Sequence, residues 1–87
     1  MPEKWRVVFR PEARDELRAI AKTDALRILA KLTQLESDPL GFTTTALVGR
    51  PEYRRLRVGH YRVIYSMEHD HLIIWVIKVA GRSEVYD

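Results

Sequence analysis

Five arginines, Arg50, Arg54, Arg55, Arg57 and Arg62, fall within thirteen residues and are opposed there only by Glu52. None of the five is a lysine. A guanidinium offers a planar fork of N–H donors that meets a phosphate through two parallel hydrogen bonds, which an ammonium cannot do. The chemistry such a set offers is grip on a phosphodiester and stabilisation of negative charge built on it. The plain alternative is a charged strand edge that prevents aggregation.

Local patterning decides how these side chains meet. Tyr53 to Val58 reads as a strand with Arg55 and Arg57 on one face and Leu56 and Val58 on the other. Gly59-His60 suits a tight hairpin turn. Tyr61 to Met67 then returns with Arg62, Ile64 and Ser66 on one face and Tyr61, Val63, Tyr65 and Met67 on the other. Such a turn brings Arg62 to within about one residue of facing Arg57, with side chains roughly 5 Å apart. Like charges placed opposite each other destabilise a sheet. The cluster therefore makes more sense as a site for an anion than as a structural device.

Other residues able to do chemistry are less well placed. His60, His69 and His71 lie in or beside expected turns with no carboxylate at metal-ligand spacing, so no metal site is expected. Asp15 and Glu16 belong to a helix face expected to be exposed. There is no phosphate-cradling glycine loop and no nucleophilic serine motif. Trp5, Trp75, Tyr61 and Tyr65 read as core, with base stacking as the functional alternative for the two tryptophans. Arg14, Arg18, Lys22, Arg27 and Lys31 read as a solvated helix surface that could also hold a large RNA by charge.

The elements that must position the arginines follow from periodicity. Trp5, Val7 and Phe9 alternate with Arg6 and Arg10 as a first strand. Pro11 opens a helix whose apolar face is Ala13, Leu17, Ile20 and Ala21. Thr23 or Asp24 can cap a second helix with the stripe Ala25, Ile28, Leu29, Leu32 and Leu35, ended by Asp38-Pro39. The short link favours an antiparallel pair. Leu40 to Arg50 reads as a loop holding at most a brief extended piece. After the two hairpin strands, a turn at Glu68 to Asp70 leads into Leu72 to Ala80, apolar on both faces except at Lys78. The expected fold is α+β: a strand, a helix pair, then a three-stranded antiparallel meander, giving a four-stranded sheet with the helices on one face.

Size and composition bound the rest. Eighty-seven residues, 46% hydrophobic and 31% charged, make one folded domain spanning 1–87. Without cysteine there is neither a disulfide framework nor a thiolate metal site. No signal-peptide stretch precedes Arg10, and the apolar run Leu72 to Ile77 is too short to span a bilayer, so a cytoplasmic location is expected. The net charge of +3 is only a weak pointer to an anionic partner.

Tyr53-Arg-Arg-Leu-Arg-Val-Gly-His-Tyr-Arg-Val-Ile-Tyr65 resembles the signature stretch of the RelE/ParE toxin superfamily, and Val79-Ala-Gly-Arg-Ser-Glu-Val-Tyr86 resembles its C-terminal pattern. Leu47-Val-Gly-Arg-Pro51 fits the loop before the first of these. The resemblance implies a RelE-type toxin of a type II toxin–antitoxin system, which enters the ribosomal A site and cuts messenger RNA there without a metal or cofactor. It implies a RelB-like, acidic antitoxin as partner, with the ribosome and the message as targets. By position, Arg55 and Arg57 match the family's two basic strand residues, Arg62 the arginine after the hairpin, Arg82 the C-terminal arginine and Tyr86 the terminal tyrosine; these five are the expected catalytic set. Arg14, Arg18, Lys22, Arg50 and Arg54 are the expected ribosome- or RNA-binding cations. The implied reaction is attack of a ribose 2′-hydroxyl on the adjacent phosphate. Family members carry lysine where this chain has Arg55 and Arg57, and arginine makes a poor general base. Base duty then falls on Tyr86, or charge and geometry act alone. Gly81 stands where many relatives have histidine. A ParE-like inhibitor of DNA gyrase, or a non-catalytic RNA-binding relative, is the alternative.

Overall fold

A two-residue apolar alternation and a 3.6-residue apolar period together build the molecule. In the computed structural model, which describes residues 4–41 and 44–81, the elements run β1 (Arg6–Phe9), α1 (Pro11–Ala19), α2 (Lys22–Leu35), β2 (Thr44–Leu47), β3 (Arg50–Val58), β4 (Tyr61–Glu68) and β5 (Ile73–Gly81). They form one five-stranded mixed sheet in the order β1-β5-β4-β3-β2. β1 is parallel to β5, and the other pairs are antiparallel.

The expected α+β class and element order hold, with one strand more than expected. Thr44–Leu47, within the segment read from sequence as a loop with at most a brief extended piece, pairs with β3 as an edge strand. Its threonines are good strand formers. β3 correspondingly starts at Arg50 instead of Tyr53, because the short turn at Val48 and Gly49 lets Leu47 face Arg50.

Helix starts also differ in detail. Pro11 takes the first turn of α1 as expected. The residue before α2 is Ala21, with no side-chain cap, so Thr23 and Asp24 lie inside the first turn instead of capping it. Asp24 still places a negative charge at the positive end of the helix dipole.

One face of the sheet carries the core. Leu56, Val58, Val63, Tyr65, Ile74, Val76 and Val79 are buried together with Ala13, Ile28, Leu32 and Leu35 from the helices. Leu29, read as part of the buried stripe, is 39% exposed, and the core contacts of α2 narrow to Ile28, Leu32 and Leu35. Val76 and Val79 both point inward because Ile77 is an extra residue: Tyr65 faces Val76, whereas Ile64 faces Lys78. Such a bulge shifts the alternation by one.

β1 pairs with β5 only over Ile73 to Val76, so the far end of β5 has an edge to close. Glu16 of α1 closes it. Its Oε1 accepts a 2.8 Å hydrogen bond from the Val79 backbone N–H, and its Oε2 takes Lys78 Nζ at 3.0 Å. This corrects the reading of Glu16 as a solvated residue. Glu16→Ala leaves the amide of a buried residue without its acceptor and is expected to cost about 1–3 kcal/mol in chemical denaturation. Glu16→Gln, which keeps an acceptor oxygen, should cost less, and hydrogen exchange at Val79 should accelerate only in the alanine variant.

Candidate active site

The hairpin β3–β4 sets the site. Val58 faces Tyr61 across the two-residue loop Gly59-His60. Gly59 has φ 58, while His60 is not among the positive-φ residues, the pattern of a type II′ turn with glycine at its first central position. That turn fixes the register, and the register sets Arg57 directly opposite Arg62. Arg55, two residues back on β3, shares their face, the one turned away from the helices.

The three guanidiniums feel one another. The Arg55 side chain loses proton affinity relative to a free arginine, first through burial and then through the positive charges of Arg62 and Arg57. Arg55 is held from β2: its Nη2 donates to Thr45 Oγ1 at 3.3 Å. Thr45, Arg55, Arg57 and Gly59 line an open cleft of about 470 Å³. Thr45 is the site residue that sequence reading missed. Its signal lay in the adjacent threonines Thr44 and Thr45, β-branched residues that favour a strand once a partner offers an edge.

The remaining expected residues divide. Arg54 is not on the arginine face; it faces the helix side between Ala46 and Tyr65, where its Nη2 donates to Thr44 Oγ1 at 2.9 Å. Its Nε is buried there without a hydrogen-bond partner. Arg50 is exposed at the start of β3, and Arg14, Arg18 and Lys22 are exposed on the helices instead of beside the arginine face. Arg82 and Tyr86 lie outside the described residues. His60, His69 and His71 sit in turns as expected. Among the described residues, no three histidine or carboxylate side chains gather at metal-binding distance, and no helix is long and apolar enough to cross a membrane.

Trp5 packs against the core and meets the His69 ring edge-on, as a core reading requires. Trp75 does not. It stands half-buried on the arginine face, with Nε1 donating to Glu68 Oε1 at 3.1 Å. His71 Nδ1 meets the other oxygen of Glu68. These two hydrogen bonds, that from Trp75 first, hold the Glu68 carboxyl below the usual carboxylate range. A lowered folded pKa stabilises the fold above the ordinary glutamate range, and the contribution is lost as pH falls through the folded value. Wild type should therefore lose more thermal stability than Glu68→Gln on acidification through and below that range. Melting temperature followed against pH in both proteins checks it.

The chain is similar to a chain of the archaeal RelE–RelB complex from Pyrococcus horikoshii OT3, at 28% identity and a TM-score of 0.80, over 94% of this chain and 99% of that one. It is similar to an Escherichia coli RelE variant solved with a RelBc antitoxin peptide, at 27% identity and a TM-score of 0.78, over 95% and 90%. Isolated E. coli RelE shares the fold at 22% identity and a TM-score of 0.79, over 88% and 83%. No curated protein sequence matches. The family model for the ParE toxin of type II toxin–antitoxin system, parDE, matches residues 7–86. The chain belongs to the RelE/ParE superfamily of type II toxins.

Proposed function

We propose that this toxin is an endoribonuclease that cuts messenger RNA in the ribosomal A site, by attack of a ribose 2′-hydroxyl on its own 3′-phosphate. The observation that carries the reading is Arg57 facing Arg62 with Arg55 beside them, three like charges on one face of the sheet, where Arg55 and Arg57 line an open cleft. The O2′–P bond forms as the P–O5′ bond breaks. The 2′-hydroxyl gives up its proton and the departing O5′ gains one, leaving a 2′,3′-cyclic phosphate and a 5′-hydroxyl. Negative charge grows on the phosphate oxygens in between, and fixed guanidiniums address it without reorganising. Arg62 takes this role first and Arg55 shares it; Arg57 and Arg82 add charge, and Tyr86 receives the proton or stacks on a base. A RelB-like antitoxin that covers the toxin belongs to the same proposal. It is supported by similar RelE proteins solved with RelB, including the one from P. horikoshii.

The test is cleavage of a translated message by purified toxin on purified ribosomes, with end-group analysis of the fragments. Cyclic phosphate and 5′-hydroxyl ends are expected. The family model's ParE description favours a second reading, inhibition of DNA gyrase. Gyrase-dependent DNA breaks with the message intact would reject the nuclease in its favour.

A further inference from the structure

The arginine face continues into a second feature that the phosphate chemistry does not use. Register places Tyr53 opposite Ser66 and Ser66 opposite Trp75, so the three form one row across β3, β4 and β5. All three are half-buried. With neighbouring strands about 4.8 Å apart, the two aromatic residues are rooted roughly 10 Å from each other. Side chains on a sheet stand roughly upright. Tyr53 and Trp75 are therefore two walls, and the short Ser66 between them is a low floor. An open cleft of about 520 Å³ lies here, bounded on the β1 side by Arg10, whose guanidinium carbon is 6.0 Å from the Trp75 ring centroid. The hydrogen bond from Trp75 to Glu68 fixes the indole in place. Along β3, Tyr53 is only two residues, about 7 Å, from Arg55.

We propose that this slot holds a nucleobase of the RNA whose phosphate the arginines grip, stacked between Trp75 and Tyr53, with Arg10 toward the backbone beyond. The inference rests on the RNA-cleaving reading. Trp75 and Tyr53 keep part of their ring surface uncovered on either side of a serine, apolar area that a flat ring placed between them would bury. Stacking suits a flat ring of any sequence, because every base has a π-face. The slot thus supplies position and affinity, and the arginines supply the chemistry.

Two measurements test it. In a Trp5→Phe background Trp75 is the sole tryptophan, and its emission is excited selectively over that of the tyrosines. A short 2′-O-methyl RNA should quench its emission, and a ribose-phosphate strand of the same length without any bases should quench several-fold less. On programmed ribosomes, Trp75→Leu should cut roughly 10- to 100-fold more slowly, with Trp75→Phe close to wild type. Tyr53→Leu, on the opposite wall, should repeat the loss if Trp75→Leu fails to fold. Equal quenching by intact and abasic RNA overturns the slot, as does wild-type cleavage by folded Trp75→Leu. Weakened antitoxin binding with cleavage intact assigns the walls to the antitoxin and also overturns it. If wild-type toxin leaves the message whole while quenching stays base-dependent, the nuclease reading fails and the slot stands.

Discussion

Arg62→Ala is expected to slow message cleavage by about 10²–10³-fold, the usual effect of removing one fixed donor from a developing oxyanion. The size follows from position. Arg62 is half-buried on a central strand and directly opposite Arg57, so the sheet holds its backbone in place before substrate arrives. Preorganisation of this kind makes a charge worth more than it is in water. Arg62→Lys keeps the charge and loses the fork; it should recover only part of the rate. Arg55→Ala should cost less than Arg62→Ala, and the double variant less than the product of the two, since both act on one phosphate. The melt is the control. Removing one of two opposed like charges relieves repulsion, which offsets the lost packing of the arginine stem. Cleavage should fall while the melting temperature stays near wild type. Full-rate cleavage by Arg62→Ala would remove the arginine cluster from the mechanism.

The arginine pair is legible in the sequence because a two-residue turn leaves little freedom: once Gly59-His60 closes the hairpin, Arg57 and Arg62 must come close. The helix pair and the buried strands were legible for a similar reason, since their apolar periods are strong. What sequence hid was anything dependent on a partner. Thr44–Leu47 is a strand only because β3 offers it an edge, and with that edge come Thr45 beneath Arg55 and Thr44 beneath Arg54. The alternation that places Arg55 on the cleft also places Arg54 on the opposite face, so proximity in sequence overstated the cluster. Trp75 reads as core from sequence because its strand is apolar on both faces; only one of those faces is covered by the helices, and alternation turns Trp75 away from it while Ile74 and Val76 are buried there. Glu16 looked solvated because the bare end of β5 shows only once β1 is seen to stop at Val76's partner.

Tyr65→Ala is expected to cost about 3–5 kcal/mol of stability, the range for deleting a buried aromatic side chain. Tyr65 is fully buried and, among the described residues, the largest side chain so buried, on β4 between β3 and β5. Its ring packs with the helix-side core, while its hydroxyl donates a 2.6 Å hydrogen bond to the Pro39 carbonyl, in the segment that follows α2. One side chain thus ties the sheet to the chain leaving the helices. A domain of 87 residues has about 4–13 kcal/mol in all, so the loss takes a large share. For a domain of this size it lowers the melting temperature by roughly 12–40 °C. Tyr65→Phe separates the two contributions. It keeps the ring, strips only the hydroxyl and leaves the Pro39 carbonyl without its donor, at about 1–3 kcal/mol. Thermal melts of both variants check the order. Because Tyr65 faces away from Arg55, Arg57 and Arg62, Tyr65→Phe should cut message at the wild-type rate wherever it is folded. A rate loss in folded Tyr65→Phe would mean that the Pro39 tether positions the site as well as the fold.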